Sequence, residues 1–249
     1  MAYPLRYLPS GDVLISTKDN CDRVVDALLK TNYDKEFCIA VIFSEEFISR
    51  LMEAGFLVMS TEINDEQEEP VYILLPKLHL IRSVLLYPEL HIKKSIRPFL
   101  SRYELGVDTD FDLVLDKCVQ THGDAWLTPP LVENIRSIRQ GKNLRAKPVS
   151  FAVYREGELK AGEIGVVTGR VYTSYSGYHE ENNAGTVQMI LMAQWLEKAG
   201  FDFLDFGMPL DYKTQLGAQN VSPHRFVELF RAARKPANPA QKKRGFPFP

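Results

Sequence analysis

Residues 149 to 206 constrain this chain most. Three strand-like runs follow one another, Val149 to Arg155, Glu158 to Thr168 and Arg170 to Ser176, separated only by Glu156-Gly157 and by Gly169. Turns that short fold each run back beside the one before, which makes an antiparallel meander. A helical stretch from Ala184 to Ala199 then closes at Gly200, and the apolar run Phe201 to Phe206 follows. Meander, helix and further strand together predict an α+β class, with an antiparallel or mixed sheet flanked by helices.

The rest of the 249 residues is read around that centre. Apolar residues at 45% and charged residues at 25% are ordinary globular values, which exclude collagen, coiled coil and wholesale disorder. A net charge of −2 means that any attraction to a polyanion has to be local. The first residues, Met1-Ala2-Tyr3-Pro4-Leu5-Arg6, lack a signal-peptide pattern, and the three scattered cysteines (Cys21, Cys38, Cys118) suit reduced thiols. The expected setting is the cytoplasm, with no membrane contact, as a monomer. Helices are expected at Asp19 to Lys30, Ser44 to Ala54, Ser95 to Ser101, Phe111 to Gln120, Pro129 to Arg139 and Pro223 to Arg234, and a buried strand at Val71 to Leu75. The acidic stretch Ile63 to Pro70 reads as a connector. It divides the chain into a small N-terminal α/β domain (1–70), a larger domain (71–234) and a basic, proline-rich tail (235–249).

The element order is the skeleton of acyltransferases of the GNAT type, although other folds share it. Those enzymes cradle coenzyme A pyrophosphate in a glycine-rich loop at a helix start. The matching stretch here, His179-Glu180-Glu181-Asn182-Asn183-Ala184-Gly185, offers two carboxylates, which repel phosphate. No coenzyme A and no other cofactor is therefore expected. The five histidines lack metal-ligand spacing, so no metal site is expected either.

Several residues carry two readings. Asp205, set among phenylalanines in Phe201-Asp202-Phe203-Leu204-Asp205-Phe206-Gly207, is either a hydrogen-bonded structural carboxylate or one held in a cleft at a strand end. Alternation puts it on the face of Phe201 and Phe203, opposite Leu204 and Phe206. Arg136, Arg139, Lys142, Arg145 and Lys147 occupy a stretch without acids, as do Lys93, Lys94, Arg97 and Arg102; Arg234, Lys235, Lys242, Lys243 and Arg244 crowd the tail. Each run is either a solvated face or part of a polyanion footprint. Trp126, in a loop before a helix, is either a core plug or a platform for a stacked base.

Three ordered blocks resemble the leucyl/phenylalanyl-tRNA–protein transferase family. Gly123-Asp124-Ala125-Trp126-Leu127-Thr128 is similar to its G-T-W-I-T. Ser174-Tyr175-Ser176-Gly177-Tyr178 through Asn183-Ala184-Gly185 is similar to G-E-S-M-F-S-x-x-x-N-A-S-K. Gly200 to Gly207, with Gln215-Leu216-Gly217-Ala218, is similar to G-x-x-L-I-D-C-Q…S-L-G-A. The resemblance implies a GNAT-like domain at 71–234 that moves an amino acid from a tRNA 3′ end to a protein's N-terminal amine, within the N-degron route of protein degradation. It implies Asp205 and Tyr175 as catalytic groups. Trp126, Glu163, Tyr172, Ser176, Asn183, Met189 and Gly207 would bind substrate, and Lys93, Lys94, Arg97, Arg136, Arg139 and Arg145 would bind the tRNA. An N–H near Gly207 or the Tyr175 hydroxyl would meet the oxyanion.

The departures from the family pattern are specific. Tyr175 stands for its glutamate, Gly207 for its glutamine, Leu74-Leu75 for a tryptophan pair and Thr186 for a lysine. Glu163, in Lys160-Ala161-Gly162-Glu163-Ile164-Gly165, stands where the family's hydrophobe lines the leucine or phenylalanine pocket. Either Glu163 points outward by a one-residue slip, or the donor is arginine or lysine. A non-catalytic binder of aminoacyl-tRNA or N-degrons, and transfer to a non-protein amine, remain as other readings.

Overall fold

The computed structural model describes residues 3–63, 69–142 and 144–235. Lys242, Lys243 and Arg244, the tail beyond Lys235 and the middle of the acidic connector lie outside these residues. Asn20 caps α1 (Cys21–Lys30) by accepting from the Arg23 N–H, and Ser44 caps α2 (Glu45–Glu53) through the Phe47 N–H. Glu45 and Glu46 stand in that first turn, where the helix dipole favours them. β1 (Leu57–Ile63) and β2 (Val71–Lys77) pair antiparallel from Leu57 opposite Lys77 to Ile63 opposite Val71. The acidic stretch thus joins the two strands of a hairpin.

The larger sheet begins with β3 (Arg82–Leu85), and α3 (Arg97–Leu100) and β4 (Glu104–Val107) follow it in the chain. Next come α4 (Phe111–His122) and α5 (Pro129–Gln140), the latter with proline in its first turn, where a missing N–H costs nothing. The meander is β5 (Ala146–Arg155), β6 (Glu158–Thr168) and β7 (Val171–His179). Glu156 and Gly157 both have positive φ, 55° and 79°, as a two-residue hairpin turn of the primed type demands. After α6 (Ala184–Ala199) come β8 (Phe203–Gly207), α7 (Asp211–Gln215), β9 (Gln219–Val221) and α8 (Pro223–Ala233). The strand order is β4-β5-β6-β7-β8-β3-β9, with β7 and β8 parallel and the other neighbours antiparallel. This is a mixed α+β architecture.

Helices cover both faces of the sheet. On one, Phe203, Ile164 and Val166 join α1, α2, α4, α5 and α8 in a single apolar cluster running from Val13 to Ala233. On the other, Leu204, Phe206 and Tyr172 pack under α6. Burying side chains such as Phe47, Phe226 and Phe230 contributes about 1.5–3 kcal/mol each. Because Val25, Phe47, Val58, Leu74 and Phe230 share one cluster, packing shows no gap at the expected border near residue 70. Phe201 lies outside β8 and packs on the α6 side, not on the face of Asp205.

Candidate functional site

The parallel pair at the centre of the sheet is short. Val171, Tyr172 and Thr173 oppose Phe203, Leu204 and Asp205, and then β7 runs on to His179 while β8 stops at Gly207. At the parting, Gly165 opposes Ser174 and Ile164 opposes Ser176, so Tyr175 is an extra residue in β7. Such a bulge re-aims a side chain at the edge of a strand. Polar groups gather on both faces of this fork.

On the face of Phe203 sits Asp205, with 0% of its surface exposed. Arg82 donates from Nε to Oδ1 at 2.8 Å and from a terminal nitrogen to Oδ2 at 2.6 Å. Thr173 Oγ1 donates to Oδ2 at 2.9 Å and the Gly207 N–H to Oδ1 at 2.9 Å. The other terminal nitrogen of Arg82 lies 3.0 Å from His79 Nδ1, and Phe226 presents its ring 4.2 Å from the guanidinium carbon. Burial, with Arg82, Lys77 and Lys213 nearby, pushes the His79 pKa down to about 2. The imidazole is therefore neutral and accepts through Nδ1. This corrects the expectation that Asp205 meets a substrate amine: four hydrogen bonds and complete burial leave it no free face. The Gly207 N–H is likewise committed to Asp205 and has no hydrogen to offer an oxyanion.

Tyr175 is differently placed. Its hydroxyl oxygen accepts the Val58 N–H at 3.1 Å, and the group lies within the field of both Arg82 and Asp205. Burial raises its pKa well above the ordinary tyrosine value, so it stays protonated at neutral pH and keeps a hydrogen to donate. Trp126 is half-buried, with its ring against the larger cluster; its carbonyl accepts the Ser60 N–H at 3.0 Å and the Ser60 hydroxyl at 3.1 Å. β1 thus ties the two together, Val58 at Tyr175 and Ser60 at Trp126.

On the α6 face, Glu163 points inward and is buried, so the outward slip does not occur. Burial raises its pKa to about 7, while Ser174, Tyr172, Lys213 and Gln188 act to lower it. Tyr172 is fully buried with its ring edge-on to Phe151 at 5.1 Å, and Gly165 leaves the room that this ring occupies. Lys213 is buried where β8 ends, its Nζ donating to the carbonyls of Phe206 at 2.6 Å and Met208 at 3.0 Å. Met189 is half-buried beside the α6-side cluster. Ser176 turns to the other face, its carbonyl 3.3 Å from Cys118 Sγ. Asn183 begins α6 at φ 72° without a side-chain cap. Glu181 there pairs with Arg155 at 2.7 Å, so this carboxylate is partly neutralised.

The basic candidates separate. Arg136 binds Asp112 at 2.8 Å and Asp116 at 2.6 Å, and Arg139 binds Asp108 at 2.5 Å. These acids belong to α4 and the turn before it, and they neutralise a stretch that looked free of acids. Arg145 reaches Glu53 at 3.2 Å. Lys93 donates to Gln215 at 2.5 Å, beside α7, while Lys94 and Arg97 are exposed and make no ion pair among the described residues. Of these runs, the Lys93 to Arg97 segment alone borders the helix that carries Lys213.

Arg82, His79 and Lys213 were not singled out from sequence as parts of a site. A lone arginine in Leu80-Ile81-Arg82-Ser83-Val84-Leu85 was the available signal, since an arginine inside a strand run needs a buried partner. Among the described residues no cluster of histidine, cysteine and acid could hold a metal, and no helix is long and apolar enough to cross a membrane.

Known proteins bear on this geometry. Residues 84–231 match the family model described as leucyl/phenylalanyl-tRNA protein transferase. A protein of that name from Pseudomonas putida (strain W619) is 32% identical over 152 residues, 59% of this chain and 66% of the relative. One from Pseudomonas paraeruginosa is 30% identical over 158 residues, 61% of this chain and 68% of the relative. The match to the first of these therefore spans just under two thirds of its length. Among solved structures, one titled crystal structure of FemX aligns with a TM-score of 0.46 at 10% identity, over 88% of this chain and 81% of that one. Because the family model covers more than half of the residues, including the forked strands and α6, this chain belongs to the leucyl/phenylalanyl-tRNA protein transferase family.

Proposed function

We propose that the chain transfers an aminoacyl group from the 3′ end of a tRNA to the N-terminal amine of a protein, on a GNAT-like acyltransferase fold. The observation that carries this reading is the fork itself. A parallel strand pair that ends after three residues, beside a bulge that carries the protonated Tyr175, parts the strands in the middle of the sheet, and the substrate is placed there. Membership of the transferase family supports it, as two relatives bear that name.

The aminoacyl ester is already activated, so the protein's work is placement, which can supply about 7–11 kcal/mol. The amine nitrogen attacks the ester carbonyl carbon, and a tetrahedral oxyanion forms. The bond to the ribose oxygen then breaks, and that oxygen takes up the proton the amine gives away. About a tenth of N-terminal amines are neutral at pH 7, so no strong base is required. Tyr175 donates to the oxyanion. Asp205 is a positioning residue: it fixes Arg82, the end of β8 and, through that end, the mouth of the fork. Trp126 stacks on the terminal adenosine, and Lys93, Lys94 and Arg97 face phosphates. The acceptors are proteins with a free N-terminus, and the expected setting is the cytoplasm.

The test is incubation of the full chain with charged tRNA and a peptide with a free N-terminus, read by mass spectrometry. An amino-acid adduct on the N-terminus supports transfer. Binding of charged tRNA with no adduct on any acceptor would leave a binding protein instead.

A further inference from the structure

Glu163 is a buried carboxylate without adequate company. It exposes 4% of its surface, and its Oε1 has no hydrogen-bond partner among the described residues; the same is true of the Tyr172 hydroxyl beside it. Leaving such groups unpaired in the interior is costly, more so for a charge, so each calls for an explanation. The cation whose field reaches Glu163 is Lys213, but its Nζ is spent on the Phe206 and Met208 carbonyls. The other side chains turned toward the carboxyl group are Ser174, Gln188 and Tyr212, hydrogen-bonding groups rather than an apolar wall.

β7 has also lost its β8 neighbour here. β8 has already parted from β7 at Thr173, and the residue opposite Glu163 on β7 is Gly177, which is exposed. A Cβ at 177 would stand 3.6 Å from Glu163 Cβ, so at this position β7 lays no side chain over the buried stem of the glutamate. In β7, the bulge at Tyr175, the proposed oxyanion donor, stands two residues before that glycine.

We propose that the chamber around Glu163 receives the side chain of the transferred amino acid and selects one ending in a cationic hydrogen-bond donor, a guanidinium or an ammonium. This rests on the reading of the chain as an aminoacyltransferase. A guanidinium satisfies Oε1 and pairs with the charge in two parallel bonds; a leucine or phenylalanine side chain leaves Oε1 desolvated and unmet. A site built around a buried polar group rejects a guest that cannot pair with it far more strongly than an apolar pocket rejects a wrong shape.

The experiment charges tRNA separately with arginine, lysine, leucine and phenylalanine and measures kcat/KM for transfer to one model peptide by the full chain. Arginine or lysine should exceed leucine and phenylalanine at least tenfold. Glu163→Gln should erase most of that preference, and Glu163→Met should turn it toward leucine and phenylalanine. Equal or better transfer of leucine or phenylalanine by the unaltered chain overturns the inference and leaves aminoacyl transfer standing. No transfer from any of the four overturns the transfer reading and the inference with it.

Discussion

Arg82 and Asp205 meet 123 residues apart in the chain, through two bonds of 2.8 and 2.6 Å, with side chains exposed by 1% and 0%. Removing one partner strands the other charge in the core, a cost of about 3–5 kcal/mol. Arg82→Met and Asp205→Asn should each lower the urea midpoint accordingly. Arg82→Met combined with Asp205→Leu should lose clearly less than the sum of Arg82→Met and Asp205→Leu measured singly. Strict additivity in that cycle would mean the pair is not coupled.

Tyr175→Phe separates chemistry from folding. It removes one acceptor of the Val58 N–H, for a loss of about 1 kcal/mol. It also removes the proposed oxyanion donor, so single-turnover transfer should fall by about 10²–10³. Unchanged turnover with unchanged stability would dismiss Tyr175 from the reaction.

Glu163 makes stability depend on pH in a particular direction. Its pKa rises from 4.5 when unfolded to about 7 in the fold, among Tyr172, Cys118, Tyr212 and Lys213. Between those values the folded state holds the proton that the unfolded state has lost. Stability from this group therefore falls as pH climbs from about 4.5 to 7 and stays lost above. The difference curve between the unaltered chain and Glu163→Gln, from thermal melts at pH 5 and pH 8, should show the glutamate form losing up to about 3 kcal/mol more. A flat difference would mean the carboxyl group is already ionised in the fold.

Binding of tRNA should distinguish the two sets of arginines and lysines. Replacing Lys94 and Arg97 with alanine should weaken binding and reduce the salt slope by about 0.7–0.9 for each phosphate that no longer meets a cation. Arg136→Ala should leave binding nearly unchanged, because its charge is already met by Asp112 and Asp116. Trp126→Ala should weaken binding by about 1–3 kcal/mol if a base stacks there. A larger effect from Arg136 than from Lys94 and Arg97 would move the tRNA to the α5 side.

The meander, α6 and the helix start at Ser44 were legible because each depends on periodicity or turn chemistry within about a dozen residues. β1 and β4 were not. The first follows a helix stop without alternation, and the second is a four-residue strand paired only with β5, so its conformation comes from the partner. Trp126, Tyr175 and Glu163 were legible as candidates through stretches that resemble the family's motifs. Their surroundings were not.

The sequence by itself determined the main helices and the meander strands, that β5 to β7 fold back on one another, and which family the central blocks resemble. Only the tertiary structure decided how each charge is answered. Asp205 changed from a candidate for the substrate's amine to the anchor of Arg82, Arg136 and Arg139 were neutralised by acids at 108, 112 and 116, and Glu163 was left with an unmet oxygen. Local conformation is encoded by neighbours along the chain. The partner of a buried charge is supplied by whichever distant segment packing delivers to it.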